Sequence, residues 1–278
     1  MHLLKKDLPT GRLSFSQLDT YLNCPKKYEW RYIIKPDIIR SAPLMIAGSS
    51  IHDAIATVLR LMMKKKQVDI TTIRNNAQRS LEKELNVMQE TVGKELLPDY
   101  TKERLLIEHK ALFVTWNMEI VPEFRPTAVE EEINTTIGGY PFIMYIDAVH
   151  NDELVVDWKF TASPKNKHHI ANSLQLTVYS IGTQLDRVAF GSLVRPKAGR
   201  EKNWKPSVNM IKGTRTNAER SWAERVVKLA GDGIRAGHFP YCTPENFLCN
   251  VKYCDMYPLC RGKDEAERVT PKWCEAFI

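Results

Sequence analysis

Three charged residues near the middle of the chain have types and a spacing suited to metal chemistry. Asp147 follows the apolar residues 142–146, and Asp157 and Lys159 end the next apolar run, which begins at Leu154. Side chains two positions apart on a strand share a face, so Asp157 and Lys159 are predicted to point to one place beside Asp147. Neighbouring carboxylates repel each other unless a cation lies between them, and Mg2+ or Mn2+ prefers oxygen ligands. Carboxylates, a divalent cation and a nearby ammonium group are the parts that phosphodiester cleavage requires.

An ordinary surface ion pair is the alternative for the same triplet. Asp-x-Lys triplets are common, and a pair of this kind on the solvated edge of a sheet needs no metal ion. For the triplet taken alone this second interpretation is the stronger one, so the choice depends on the rest of the chain.

The six cysteines of the chain also have a chemical meaning. Three of them form the pattern Cys249-x4-Cys254-x5-Cys260, and Cys24 lies far upstream in a helix-like stretch. The sequence shows no export signal and the cytosol keeps thiols reduced, so metal ligation is favoured over a disulfide framework. Four thiolates suit an iron-sulfur cluster or a structural zinc ion. A Cys-x4-Cys spacing is unlike that of zinc ribbons, which favours the cluster.

Helical patterns fill the first part of the chain. Ser14 and Gln17 form a capping box, which predicts a short helix from Phe15 towards Asn23, and Pro25 is placed to open a second helix. Apolar residues recur at helical spacing in three further segments, 51–62, 72–90 and 102–120.

Strand patterns dominate after Pro126. Short segments rich in Val and Ile are predicted as strands at 127–137, 140–149 and 153–160, with a hairpin turn at Gly138-Gly139. The pattern then predicts, in order, a helix at 169–184, strands at 187–194 and 207–212, and a helix at 216–236 that ends before Gly237.

This order of elements predicts an α/β fold with a central mixed β-sheet flanked by helices. We expect a helical N-terminal segment at 1–122, a core that contains the sheet at 123–240 and a cysteine-rich tail at 241–278, together forming one compact domain. The tail would close the metal site with Cys24. Cys242 and Cys274 fall outside the tight spacing and are interpreted as thiols that bind no metal, although either could replace a ligand.

The charge of the chain favours a polyanionic partner. The 278 residues carry 40 Lys and Arg against 33 Asp and Glu, a formal charge of +7 with a pI near 9.0. Nucleic acid is the natural partner for such a surface. One basic run, opposed only by Glu201, is either a solvated loop or an arm that contacts phosphates; its members are Arg195, Lys197, Arg200, Lys202, Trp204 and Lys205.

Membrane and export signals are not predicted. No apolar run approaches the roughly 20 residues that span a bilayer, and the first residues lack the apolar core of a signal peptide. We therefore expect a cytoplasmic protein with no membrane partner.

Further residues place the Asp-x-Lys triplet in a family context. The chain reads Gly48-Ser-Ser-Ile-His52, then Asp147, then Asp157-Trp158-Lys159, then Gln175-Leu-Thr-Val-Tyr179. This order and spacing resemble the RecB-like branch of the PD-(D/E)XK nuclease superfamily, whose core is like that of restriction endonucleases. The resemblance extends from about residue 13 to residue 262.

The resemblance implies roles for these residues. His52, Asp147 and Asp157 would bind Mn2+ or Mg2+ together with the backbone carbonyl of Trp158, and Lys159 would be the catalytic lysine. A histidine ligand favours Mn2+. Taken alone, His52 is more typical of a residue packed in the core.

Three more residues have weaker assignments. Gln175 and Tyr179 share one face of a predicted helix, where they would contact DNA or orient the lysine. The alternative is that Tyr179 packs into the core. Glu130, at the start of the first strand segment, could also reach the site and is a candidate neighbour of the metal ligands.

Some relatives of this type, phage exonucleases and CRISPR-associated RecB-like nucleases, hold a 4Fe-4S cluster with one N-terminal and three C-terminal cysteines. Cys24, Cys249, Cys254 and Cys260 match that arrangement, with zinc as the alternative. The x4 spacing is wider than the x2 spacing often associated with relatives.

The predicted function is a metal-dependent DNA exonuclease that hydrolyses phosphodiester bonds of single strands or duplex ends. The alternative is a subunit that binds or trims DNA ends inside an assembly for CRISPR spacer acquisition or phage recombination. Such an assembly would supply protein partners, and an oligomer of this chain is also compatible with the sequence.

Overall fold

The computed structural model describes residues 8–36, 42–95, 97–197, 200–243, 245–250 and 254–261. Cys274 lies outside these residues. Among the other five cysteines, none is in a disulfide.

Five α-helices precede the main strands: α1 (Phe15–Asn23), α2 (Pro25–Tyr28), α3 (Pro43–Met63), α4 (Ile70–Val92) and α5 (Asp99–Glu119). The predicted cap of α1 is present, since the backbone nitrogen of Gln17 donates to the Ser14 hydroxyl at 3.3 Å. Pro25 opens α2, which continues as a π-helical turn, Glu29–Ile34. The junction between α1 and α2 is Cys24, as predicted.

Helix α3 has the length and composition of a membrane span, the one such helix in the described part of the chain. The expectation that no apolar run approaches this length is therefore wrong for α3. Its buried residues, among them Ile51, Ile55 and Leu59, pack with α5 and the sheet in one hydrophobic cluster. One face of α3 thus packs against the core of the protein.

The sheet contains six strands: β1 (Leu13–Ser14), β2 (Pro126–Ile137), β3 (Tyr140–His150), β4 (Leu154–Thr161), β5 (Arg187–Val194) and β6 (Ser207–Thr214). The strand order is β1-β3-β4-β5-β6, and β2 pairs with β3. The β1–β3 and β4–β5 pairs are parallel and the others are antiparallel. The sheet is therefore mixed, as predicted, although the two-residue β1 was not predicted from its sequence.

Strand β3 has two different neighbours along one edge. Ala148 to His150 pair with β4, whereas Phe142 and Ile143 pair with β1. The described pairs leave residues 144–147 of β3 without a ladder partner on this edge, because β1 and β4 diverge. This divergence opens the sheet at Asp147.

Helices cover both faces of the sheet. One core lies between the sheet and helices α1, α7 (Leu174–Thr183) and α8 (Asn217–Arg235), with Leu18, Leu176 and Val227 as members. The second core lies between the sheet and helices α3 and α5, with Ile55 and Trp116 as members. This layered arrangement confirms the predicted fold class.

Two predicted elements differ from the observed ones. The single helix predicted at 169–184 is two helices, α6 (Lys167–Ala171) and α7, because Ser173 caps α7 by accepting from the backbone nitrogen of Leu176 at 3.2 Å. The tail adds one short helix, α9 (Tyr257–Arg261). Helix α8 ends as predicted near Gly237, whose φ of +71° only glycine adopts readily.

Candidate metal centre and its surroundings

Asp147 is held in place by the backbone of the neighbouring strand. The register of β3 and β4, in which Ala148 is opposite Val156, places Asp147 opposite Asp157 just beyond the last described pair. At this point the backbone nitrogen of Trp158 donates to Asp147 Oδ2 at 2.7 Å. The Asp147 carboxylate thus accepts a hydrogen bond in the place of a backbone carbonyl, and this bond to β4 fixes the position of the Asp147 side chain.

Glu130 is brought to the same place by an irregularity in β2. Its φ is +48°, a left-handed value that is uncommon for residues other than glycine. Val129 packs against the core of α3 and α5 and Ile133 packs against the opposite core, although residues four apart share a face in a regular strand. The alternation of side chains between the two faces of the sheet therefore reverses near Glu130, which lies opposite Asp147. Strain of this kind persists where the surrounding structure requires it, and it is common at functional sites.

His52 completes a group of possible metal ligands. Its Nδ1 lies 3.4 Å from Asp147 Oδ2, and His52, Glu130 and Asp147 each offer one ligand atom within 4.8 Å of the others. Burial lowers the pKa of His52, but its hydrogen bond to Asp147 and the charge of that carboxylate outweigh this effect and raise the pKa. Burial, followed by the charge of Asp147, raises the pKa of Glu130. Two crowded carboxylates and an imidazole fit a divalent ion such as Mn2+ or Mg2+.

Asp157 belongs to a second group directly beside the first. The side chain of Asp157 is buried, and its Oδ2 lies 2.7 Å from the ammonium group of Lys159. The amide nitrogen of Gln175 donates to Asp157 Oδ1 at 2.8 Å, and Lys159 Nζ donates to Gln175 Oε1 at 3.0 Å. Burial raises the pKa of Asp157 to about 6 even though the charge of Lys159 opposes the shift.

The helix α7 residues have separate tasks in this group. The amide nitrogen of Gln175 also lies 2.9 Å from the hydroxyl oxygen of Tyr179, one helical turn away. Tyr179 is buried among apolar residues, and burial raises the pKa of its hydroxyl. Gln175 therefore positions both Asp157 and Lys159, while Tyr179 packs into the core and supports Gln175. This arrangement favours an orienting role for the pair over contact between Tyr179 and a ligand.

The predicted basic run lines an open groove, and Arg195 differs from the exposed members of the run. Its side chain is buried, and Nε lies 2.6 Å from Glu108 Oε2 on α5. The exposed residues of the run are Lys197, Arg200, Lys202 and Lys205. Trp204 is half-buried, and its indole nitrogen donates to the carbonyl of Val194 at 2.9 Å. Arg195 thus forms a buried ion pair with Glu108, and its contact with DNA stays a prediction.

The cysteines converge on a separate cavity of about 180 Å3. Cys24 caps α2, where its Sγ accepts from the backbone nitrogen of Lys27 at 3.4 Å. The cavity is lined by Cys24, Cys242, Cys249, Cys254 and Cys260. Cys242, which the sequence interpretation placed outside the site, therefore lies with the predicted ligands. Burial and contacts with Cys24 and Cys249 raise the pKa of the Cys242 thiol to about 12.

Polar contacts tie the tail to the first helices around this cavity. The hydroxyl of Tyr21 donates to the carbonyl of His238 at 2.9 Å. Asp255 accepts from Lys27 at 2.8 Å and from Arg31 at 2.6 Å. The two distant parts of the chain that carry the cysteines are thus held together by groups other than the thiols.

Comparisons with known proteins identify the family of the chain. The family model of the PD-(D/E)XK nuclease superfamily matches residues 12–261. A candidate exonuclease from Eubacterium rectale has a similar structure, with a TM-score of 0.52 and 10% identity over 84% of this chain and 85% of that one. LHK-Exo in complex with dAMP gives a TM-score of 0.32 and 14% identity over 68% of this chain and 93% of that one.

One curated relative matches part of the sequence. It is a subunit of the ATP-dependent helicase/deoxyribonuclease of Carboxydothermus hydrogenoformans, 29% identical over 98 residues. The match covers 34% of this chain and 9% of the relative. The chain therefore corresponds to a small part of that protein.

Proposed function

The chain belongs to the PD-(D/E)XK nuclease superfamily, and on this premise we propose that it is a divalent-metal-dependent exonuclease that hydrolyses DNA from its ends. The observation that carries the proposal is that two groups lie side by side where β3 and β4 separate. The first group is His52, Glu130 and Asp147, and the second is Asp157 with Lys159. The name of the curated relative, which includes the word deoxyribonuclease, supports DNA as the substrate.

The first group would hold the metal. His52, Glu130 and Asp147 supply a nitrogen and two carboxylates. Asp157 is proposed as a further ligand, because a bound cation would offset the repulsion between its carboxylate and that of Asp147. The backbone carbonyl of Trp158 is proposed as an additional oxygen ligand. When bound, the divalent ion supplies positive charge that stabilises the transition state of phosphodiester hydrolysis.

The second group would act on the phosphate itself. Asp157 lies 2.7 Å from the ammonium group of Lys159, and Gln175 fixes the direction of this group. A charge fixed before the substrate arrives stabilises the developing negative charge without reorganisation. Lys159 is also the group in the site that could hold or donate a proton near the attacked phosphorus.

A cleavage assay tests this function. Wild-type protein should degrade end-labelled single-stranded or duplex DNA when Mn2+ or Mg2+ is present, and chelation should stop the reaction. Glu130→Gln should lower the apparent affinity for the metal, whereas the neighbouring exposed Glu131→Gln should not. Degradation at equal rates by wild type and by Lys159→Ala would contradict the proposal.

A second candidate function is a DNA-end-binding or end-trimming component of an assembly. The curated relative is itself named as one subunit of a larger enzyme, and this chain spans 9% of it, which favours activity in a larger context. Spacer acquisition and phage recombination stay predictions for that context. DNA-end binding without metal-dependent cleavage in the assay would favour this candidate.

We also propose that Cys24, Cys249, Cys254 and Cys260 hold a 4Fe-4S cluster. Several thiols in one cavity fit a metal group, which must hold them as thiolates. The Cys249-x4-Cys254 spacing is unlike that of zinc ribbons, which favours a cluster over a single zinc ion.

The cluster would have a structural role. It would close a very long loop between α1 and the tail, which removes conformational freedom from the unfolded chain. Protein purified without oxygen should contain iron and sulfide and absorb near about 400 nm. Cys24→Ala should abolish this absorbance, whereas Cys242→Ala should keep it. Zinc in place of iron, or an unchanged spectrum in Cys24→Ala, would contradict the assignment.

A further inference from the structure

The loop between β4 and α6 brings a second lysine to the candidate site. The backbone nitrogen of Lys165 donates to Ser192 Oγ at 3.1 Å. Ser192 is buried on β5 and is the register partner of Lys159. The loop thus folds back over the end of β4 and is fixed opposite the lysine that the family motif identifies.

Lys159 and Lys165 share one aromatic neighbour. Their ammonium groups lie 5.8 Å and 5.9 Å from the centre of the Phe190 ring, within the range of a cation–π contact. Phe190 is buried and is the register partner of Asp157. The ring therefore anchors two positive charges beside one buried carboxylate.

The two lysines differ in their acidic partners. Lys159 has Asp157 at 2.7 Å, whereas within the described residues no carboxylate lies within 4.0 Å of Lys165 Nζ. Lys165 is half-buried, and burial together with the charge of Lys159 lowers its pKa. Holding a second cation near the first without an acid is unfavourable, and a bound anion would remove that cost.

The same loop also forms one wall of the basic groove. Ala162 and Pro164 line this groove of about 1030 Å3 together with the basic run. The cationic side chains that face it from the exposed part of the run are Lys197, Arg200, Lys202 and Lys205. A strand that passes Lys165 on leaving the metal centre would therefore enter a groove with cations at intervals and with Trp204, on which a base could stack.

We propose that Lys165 binds the phosphate next to the one that is cleaved, and that the DNA strand continues from Lys165 into this groove. Lys165 is a substrate-binding residue in this scheme, distinct from Lys159, which acts at the cleaved phosphate. The inference rests on the proposed nuclease function, because it assigns the path of that function's substrate.

Binding and cleavage by Lys165→Ala test the proposal separately. Binding of a labelled single-stranded oligonucleotide is measured without divalent metal at several salt concentrations. Loss of one phosphate contact should make the negative slope of log affinity against log salt shallower by about 0.7. With Mn2+ present, KM should rise about tenfold, which corresponds to the loss of one charge-assisted contact, and kcat should stay within about threefold. Lys165→Arg should restore most of both values.

Lys83→Ala is the matched control, because it removes one exposed lysine from α4, away from the groove. It should leave the salt slope and KM unchanged. Melting temperatures show whether each variant is folded.

The outcomes separate the inference from the function on which it rests. A wild-type salt slope and KM in folded Lys165→Ala would overturn the inference, and so would a fall in kcat as large as that of Lys159→Ala. If wild-type protein does not cleave DNA with any divalent metal, the nuclease proposal fails, while a lower salt slope for Lys165→Ala would still support the phosphate site.

Discussion

Two buried ion pairs on opposite sides of the sheet illustrate how similar chemistry serves different purposes. Asp157 pairs with Lys159 at 2.7 Å, and Glu108 pairs with Arg195 at 2.6 Å. Both carboxylates are almost fully buried, but the Lys159 side chain is 31% exposed and the Arg195 side chain is 8% exposed. A cation that is open to solvent can meet a phosphate, whereas an enclosed cation can only support the fold.

The enclosed pair has a further ionic neighbour, Arg104. Arg104 lies one turn from Glu108 on α5, 3.4 Å from Glu108 Oε1, and it also faces Glu201 at 3.5 Å. Burial raises the pKa of Glu108, and the charge of Arg195 opposes this effect. This network connects α5 to the segment that follows β5. We therefore expect its removal to affect stability, and the removal of Lys159 to affect reaction rate.

Lys159→Ala should have the largest effect and should act on catalysis. Because a positioned cation and proton donor is lost, kcat should fall by about 100- to 10,000-fold. The melting temperature should change little, since the side chain is partly exposed. Single-turnover cleavage of end-labelled DNA and thermal unfolding measure the two effects. If Lys159→Ala were active but unstable, the Asp157–Lys159 pair would serve stability and not catalysis.

Glu108→Gln should have the next largest effect and should act on stability. It leaves the guanidinium group of Arg195 buried without its acidic partner, and breaking a buried pair in this way costs about 3–5 kcal/mol. Urea unfolding gives the free energy of unfolding, and kcat per folded molecule should stay near the wild-type value. If Glu108→Gln were as stable as wild type, Arg195 would be free to serve the groove, as the sequence pattern suggested.

The sequence could predict the parts of the site that follow from short-range periodicity. The two-residue period of a strand correctly put Asp157 and Lys159 together, and the helical period put Gln175 and Tyr179 on one face. The strand pattern also located the hairpin at Gly138-Gly139 and the strands on either side of it.

Other parts depend on long-range packing that local patterns do not encode. Arg195 and Lys197 are two positions apart in one basic run, yet only Arg195 meets a carboxylate from α5. Glu130 stands in a row of three glutamates, and it alone of the three has a left-handed backbone, with a φ of +48°. The place of Cys242 in the cavity depends on how the described residues after α8 pack against α1 and α2.

The pH dependence of stability tests the buried polar groups on α5, the helix that carries Glu108. His109, next to Glu108 on α5, is fully buried with its Nδ1 2.8 Å from the amide nitrogen of Gln78. Burial lowers the pKa of His109 from 6.5 to about 4. Between these values the unfolded chain binds a proton that the folded chain does not, so the free energy of unfolding should fall as the pH decreases from about 6.5 to about 4. The loss attributable to His109 should reach roughly 3 kcal/mol.

Replacement of His109 tests this assignment. In His109→Gln, chemical unfolding between pH 7 and pH 4 should show a shallower loss of stability than in wild type. His168→Gln, which replaces an exposed histidine of α6, should retain the wild-type profile. Parallel profiles for wild type and His109→Gln would show that other groups cause the acid sensitivity.

Gly48→Ala should have the smallest effect. Gly48 is on α3, the helix that contacts both the metal centre and the surroundings of His109. Helix α3 carries His52 towards Asp147, and its Ser50 backbone lies beside His109. A Cβ at Gly48 would meet only Phe160, at an ordinary contact distance of 3.9 Å. Alanine should therefore stabilise α3 by about 0.5–1 kcal/mol, because glycine loses more conformational freedom in a helix.

The contrast with Gly191 gives this prediction its meaning. A Cβ at Gly191 would lie 2.2 Å from the Trp158 ring, so Gly191→Ala should displace β4 and reduce both stability and activity. Gly48→Ala should keep full activity if the glycine in the Gly48-x-x-x-His52 motif has no steric task in the folded chain. Lost activity with a raised melting temperature would instead mean that DNA approaches the α3 backbone at Gly48, which would extend the substrate surface from the strand side of the site to the helix that carries His52.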